Sequence, residues 1–320
     1  MTSGVPGEIA SESGARPEWT RREERGSAFM VRLMTWISLR FGRRAGRCVL
    51  PLIVAYFLLL AAPARRASRI YLRRALGREP RWRDLYRHLH VFASTIHDRI
   101  YLVNDRFDLF DVEVHGGELV TDLLATGRGA LLMGAHLGSF EVLRARGRPK
   151  LDVTMVMYEE NARKVNAALA AANPAARLDI IPLGRVGSML QVRQRLLDGA
   201  IVGILGDRSL GGDETVSVSF LGAPAALPSG PFRLAAMLRQ PVIFMAGVYL
   251  GGNRYRIHFE ALADYSATKA AGRDAALHES VARFAAVLEQ HCRAAPYNWF
   301  NFFDFWQTPP ATGTARKAHR

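Results

Sequence analysis

The chain is short of cysteine, of acidic residues and of long apolar runs. Its 320 residues hold only two cysteines, Cys48 and Cys292. That excludes a disulfide-stapled secreted scaffold and any cysteine-rich zinc site. Asp and Glu number 29 against 43 Lys and Arg, and the basic excess is nearly all arginine. A net charge of +14 suits nucleic acid or an anionic membrane surface. Helices with interleaved basic and aromatic residues are absent, which removes support for a nucleic-acid partner. No G-x-x-x-x-G-K-[ST], G-x-G-x-x-G or H-E-x-x-H occurs, so ATP, NAD and metal chemistry have no motif behind them. The G-x-S-x-G elbow of a serine nucleophile is missing too.

What is present divides the chain. Residues 1–27 lack apolar periodicity and read as a disordered arm, and 308–320 as a flexible tail. Between 28 and 111 the pattern is helical. Its most apolar stretch, Cys48–Ala64, carries no charge over 17 residues. As one helix it spans about 25 Å, short of a hydrocarbon core of about 30 Å. Pro51 falls near its start, where a helix tolerates proline best. Arg43, Arg44 and Arg47 precede the run; Arg65, Arg66 and Arg69 follow it. Arginine stems on both flanks suit snorkelling to headgroups. A buried core helix, a spanning or re-entrant anchor and an in-plane membrane helix all fit this pattern. The next segment, Arg81–Phe107, is amphipathic, and its His88, His90 and His97 read as part of a solvated face.

From 112 to 307 short apolar runs alternate with helical patterns. Strands are expected at Ala130–Gly134, Val153–Tyr158, Asp179–Pro182, Ile201–Gly206, Val216–Phe220, Val242–Tyr249 and Tyr255–Phe259. Helices are expected at Gly117–Ala125, Phe140–Arg146, Asn161–Ala172, Met189–Asp198, Gly230–Arg239 and Ala275–Arg293. Such alternation is the mark of an α/β fold: a mixed central sheet flanked by helices, here behind an N-terminal helical, membrane-associating region.

The chemistry concentrates at two expected strand ends, where α/β folds bind ligands. Gly134-Ala135-His136-Leu137-Gly138-Ser139-Phe140-Glu141 follows one apolar strand and opens a helix. A neutral histidine placed there can take a proton from an attacking hydroxyl. Glu141, five residues on, is the natural orienting carboxylate, which makes the pair the base and orienter of a triad. Gly138 allows close approach of substrate, and Ser139 or Gly138 caps the helix. Gly206-Asp207-Arg208-Ser209 ends a later strand, with Arg208 suited to an anionic group or polarised carbonyl and Asp207 to orienting it. Phe220–Pro224 and Pro228–Pro231 read as a loop leading into a helix N-terminus, the loop packing or lining an acyl groove.

His-x-x-x-x-Glu, Gly-Asp-Arg-Ser, Phe-Leu-Gly-Ala-Pro and Gln-Pro-Val-Ile-Phe-Met, in that order over roughly 29–306, resemble one family. It is the bacterial lipid A biosynthesis acyltransferases of the glycerolipid acyltransferase superfamily. The resemblance implies transfer of a fatty acyl group from an acyl carrier protein (or CoA) thioester to a hydroxyl or amine of a lipid or glycolipid. His136 is then the general base and Glu141 its partner, while Gly138, Ser139, Asp207 and Arg208 contact substrate. It also implies no metal and no cofactor beyond the acyl donor, phospholipid and acyl carrier protein as partners, and a catalytic domain on the cytoplasmic side of the inner membrane. The ending, Pro296-Tyr297-Asn298-Trp299 and then aromatics up to Trp306, lacks the cations usual there. In this it resembles the relatives found with aryl-polyene or pigment biosynthesis. The alternative is a non-catalytic lipid- or carrier-binding protein on the same fold, separable by acyl transfer from a labelled thioester. Both cysteines are expected to be reduced and outside the site.

Overall fold

Residues 130–133, Ala-Leu-Leu-Met, are apolar without a break, and in the structure all four are buried, as a strand covered on both faces requires. The structure is a computed structural model, and it describes residues 28–145, 153–158, 179–183, 187–208, 214–269 and 272–306. The expected arm, tail and helix at Asn161–Ala172 lie outside these residues.

The described chain begins with α1 (Ala28–Leu60), α2 (Ala62–Leu76) and α3 (Trp82–Leu102). Then come β1 (Asp111–His115), α4 (Gly117–Ala125), β2 (Ala130–Gly138), a 3₁₀ turn at Glu141–Ala145, β3 (Val153–Tyr158) and β4 (Ile180–Leu183). They are followed by α5 (Ser188–Leu197), β5 (Ile201–Leu205), β6 (Thr215–Phe220), β7 (Ala223–Pro228), α6 (Gly230–Leu238), β8 (Pro241–Gly251), β9 (Arg254–Asp264) and α7 (Arg273–Ala294).

Among the described residues seven strands form one sheet in the order β1-β9-β8-β2-β5-β3-β4. β8, β2, β5, β3 and β4 run parallel, while β9 and β1 run against them. Leu131, Met133 and Val202 pack on one face with Leu72 of α2, Val192 of α5, Phe232 of α6 and Phe284 of α7. Ala130, Leu132 and Ile201 pack on the other with Val91 and Leu102 of α3 and Val120 of α4. The expected α/β class with a mixed sheet between helices is what the chain forms.

Several expectations fail for identifiable reasons. The apolar run Cys48–Ala64 is not one helix. α1 stops at Leu60, α2 starts at Ala62, and the pieces Arg40–Leu60 and Ala62–Leu76 meet at 94°. Pro63 explains the break, since it withholds the N–H that would bond the Leu59 carbonyl and its ring crowds that carbonyl, while its fixed φ suits the first turn of α2. Pro51 lies inside α1 rather than near a helix start. Among the described residues no single helix is long and apolar enough to cross a membrane.

The flanking arginines also behave differently. Arg43 and Arg47 turn inward onto the fully buried Asp98 of α3, at 2.7 and 2.6 Å. Tyr255 donates to the same carboxylate at 2.9 Å, and Arg47 reaches the Tyr249 hydroxyl at 2.6 Å. Arg65 caps the carbonyls of Leu58 and Leu59 at 2.6 and 3.0 Å, satisfying the end of α1 at the bend. His88 and His97 are not solvated: both are buried, against Ser68 and Ser38 respectively.

The loop expected at Phe220–Pro224 is instead the end of β6, a tight turn and the start of β7, which form a β6–β7 hairpin. Its two-residue turn, Leu221-Gly222, has positive φ at both positions, the geometry a tight hairpin needs. Leucine rarely signals such a turn. Here its burial and a bond from its N–H to Glu289 hold it there. Strand β1 carries one buried residue in five, too little alternation to be visible in the sequence.

Candidate active site

β2 and β5 are neighbours in register, with Gly134 opposite Leu205. Each chain runs two residues further, so His136 and Asp207 arrive at the same level at the carboxyl end of the sheet. His136 Nδ1 lies 2.8 Å from Asp207 Oδ1, and the His136 backbone N–H donates to Oδ2 at 3.0 Å. Asp207 is fully buried, whereas the His136 side chain keeps 30% of its exposure.

Two further donors reach Asp207 Oδ2: Trp299 Nε1 at 3.0 Å and Asn301 Nδ2 at 3.1 Å. Both come from the segment after α7. It is laced to β2 by a Leu137–Trp299 bridge, by Gly138 N–H to Asn298 O at 2.9 Å and by Phe300 N–H to His136 O at 2.8 Å. Trp299 is itself fixed from behind. Its carbonyl accepts from His88 Nε2 at 2.8 Å, and the Ser68 hydroxyl lies 2.7 Å from His88 Nδ1. Burial pushes His88 down to about 4, so this ring is neutral at pH 7.

The same physics sets the dyad. Burial alone would raise the Asp207 carboxyl, but the His136 ring, the Arg208 charge and the hydrogen bonds hold it well below the usual carboxylate range. His136 is pushed down by burial and by Arg208, against the pull of Asp207. Burial brings Arg208 down to about 10, still cationic at pH 7. An ionised carboxylate only accepts, so the neutral ring carries its proton on Nδ1 and presents the Nε2 lone pair. Arg208 is braced by Asn301 Oδ1 at 2.6 Å and the Phe300 carbonyl at 3.0 Å.

The remaining expected residues stand elsewhere. Glu141 does not reach the ring. It is buried, pairs with Arg99 of α3 at 2.6 Å and accepts from the Ser139 hydroxyl at 2.9 Å. The chain turns at Gly138 and enters a 3₁₀ turn rather than a helix, which swings Glu141 toward α3. Gly138 has φ +73°, and a Cβ there would collide with the Gly247 carbonyl of β8. Its need for glycine therefore comes from packing against β8, not from substrate approach. Ser139 is buried on Glu141, not open to a ligand. Asp207, expected to face substrate, is the carboxylate on His136. Arg99, Trp299 and Asn301 were not singled out by the sequence. The Pro-x-x-Trp spacing before Asn301 is the one signal that pointed there.

Residues 94–308 match the family described as bacterial lipid A biosynthesis acyltransferase. Among solved structures, the chain is similar to the 1-acyl-sn-glycerophosphate (LPA) acyltransferase PlsC from Thermotoga maritima. The two are 14% identical, the alignment covers 82% of this chain and 95% of that one, and the TM-score is 0.34. No curated protein matches the chain.

Proposed function

The chain belongs to the bacterial lipid A biosynthesis acyltransferase family and is an acyltransferase of lipid biosynthesis, and from that premise we propose a specific reaction and mechanism. It moves a fatty acyl group from an acyl carrier protein or CoA thioester to a hydroxyl or amine of a lipid or glycolipid. The observation that carries this is the His136–Asp207 pair at the ends of β2 and β5.

His136 Nε2 takes the proton of the acceptor hydroxyl as its oxygen attacks the thioester carbonyl. The tetrahedral oxyanion forms beside the Arg208 guanidinium, which supplies opposite charge. Collapse breaks the carbon–sulfur bond, and the leaving thiolate takes the proton back from the imidazolium. Asp207 fixes the Nδ1–H tautomer and stabilises the imidazolium in between. Glu141 acts through Ser139 and Arg99 as a positioning residue for the turn after β2. No covalent enzyme intermediate is needed, in keeping with the buried Ser139 hydroxyl.

We also propose that the protein lies on the cytoplasmic face of the inner membrane. Leu52, Tyr56 and Leu59, spaced four and three apart on α1, are 74%, 56% and 69% exposed. They form one apolar stripe just before the 94° bend, and Arg66 and Arg69 on α2 are exposed beyond it. An acidic carrier protein is supported by a shallow cleft lined by Arg73, Arg74, Arg78 and Arg293 with Glu79, which stays net basic although Arg73 pairs with Glu79, Arg78 with Asp84 and Arg293 with Glu289.

The test is His136→Ala. Transfer from a long-chain acyl carrier protein thioester should vanish while the fold and vesicle binding persist. Turnover near the wild-type level refutes the mechanism, and a wild-type protein that binds the thioester but never releases the thiol supports the non-catalytic alternative.

A further inference from the structure

Strand β9 alternates, with Tyr255, Ile257 and Phe259 buried on one face of the sheet. His258 and Glu260, two residues apart, share the other face. α7 packs across that face and brings His291, in its last turn, down onto them. Glu260 Oε1 lies 2.6 Å from His291 Nε2, and the His258 and His291 rings are 4.6 Å apart. One ligand atom from each of the three residues can be chosen so that all lie within 4.8 Å of one another. The His291 ring is held in place by stacking on buried Phe244, 5.2 Å between centroids.

We infer that His258, Glu260 and His291 form a binding site for a divalent transition-metal ion of the zinc class, which staples α7 to β9. Two imidazoles and one carboxylate are the donor set of three-ligand zinc sites that leave a position for water. Magnesium and calcium require oxygen-rich ligand sets and are disfavoured. The neighbouring charges permit a cation. Arg256, on the same face of β9, is neutralised by Glu113 at 2.7 Å. A third imidazole, His115 of β1, stands 5.3 Å from the His258 ring.

Nothing in the acyl-transfer chemistry uses these residues, and the assignment stands without it. The placement gives the staple a second effect. Eight residues beyond His291 the chain reaches Trp299, which holds Asp207. A metal at His291 fixes the end of the helix that delivers that segment.

The test uses the tag-free full-length chain, stripped with a chelator and titrated with Zn²⁺ and, separately, Co²⁺. The wild type should retain one equivalent of zinc through gel filtration. Cobalt should give the visible absorption of a four- or five-coordinate ion, and either metal should raise the melting temperature. His258→Ala and Glu260→Gln should each lose the equivalent, the spectrum and the thermal shift. Glu260→Gln is isosteric and partly exposed, so its metal-free circular dichroism should match the wild type and guard against misfolding. A wild-type chain that retains no equivalent, or variants that retain it in full, overturns the assignment.

Discussion

Asp207→Asn tests the site most sharply, because the structure dictates how the amide must sit. Three donors converge on Oδ2: the His136 backbone N–H, Trp299 Nε1 and Asn301 Nδ2. The amide oxygen has to take that position. Its NH₂ then occupies the place of Oδ1, facing His136 Nδ1. Two donors cannot face each other, so the ring is forced to accept on Nδ1 and to carry its proton on Nε2. That tautomer cannot accept a proton from the acyl acceptor, and the imidazolium loses its counter-charge. An equivalent tautomer inversion in a serine-protease triad costs about 10⁴ in kcat, or roughly 5 kcal/mol of barrier. The same loss is expected here. Initial rates of acyl transfer from a carrier-protein thioester, followed by mass spectrometry of the acylated lipid, measure it. The wild-type kcat/KM should rise with pH through the His136 pKa and flatten below the ordinary imidazole value of about 6.5. In Asp207→Asn any residual limb should move lower still, because the group that raises the ring's pKa is gone. A folded Asp207→Asn protein within tenfold of wild type refutes the dyad.

Three other outcomes follow from the same geometry. Glu141→Gln keeps the bond from Ser139 but loses the ion pair with Arg99, so kcat should fall less than in Asp207→Asn, and the acid limb should move only downward as the unpaired Arg99 charge acts on His136; a kcat loss as large as that of Asp207→Asn would reassign the orienting carboxylate. His88 is neutral when folded and titrates near 6.5 when unfolded, so protonation of the unfolded chain should remove stability as pH falls from about 6.5 towards about 4. That contribution is on the order of 3 kcal/mol, and urea melts of His88→Gln should lack that part of the slope. Asp98→Ala leaves Arg43 and Arg47 facing each other without a counter-charge and should cost about 3–5 kcal/mol, read as loss of the thermal transition or protease cleavage within α1.

Periodicity made the sheet legible. β3 was expected at the residues where it forms, and α4 likewise, since both depend on local pattern. The His136 motif was legible because a histidine after an apolar strand stands out. Its partner was not. Glu141 is near in sequence and Asp207 is 71 residues away, and only the Gly134–Leu205 register places the distant carboxylate on the ring. The inward arginines were missed for the same reason. Arg43 and Arg47 look like flanks of an apolar run until Asp98, 55 and 51 residues on, is seen beneath them. The hairpin at Leu221-Gly222 was missed because burial and Glu289, both long-range, hold a leucine in a conformation its own chemistry disfavours.

The lacing of residues 298–301 along β2 sets a time order on the enzyme's birth. The histidine is made early, its carboxylate 71 residues later, and the indole and amide that lock the carboxylate some 92 and 94 residues after that. A ribosome that has released only the sheet strands through β9 has produced a chain with both members of the dyad and no clamp on either. Until Asn301 has emerged and Trp299 has docked, Asp207 lacks two of its four donors. On the proposed mechanism, acyl transfer is therefore a property that the chain acquires in one late step, after nearly all of the fold that supports it already exists.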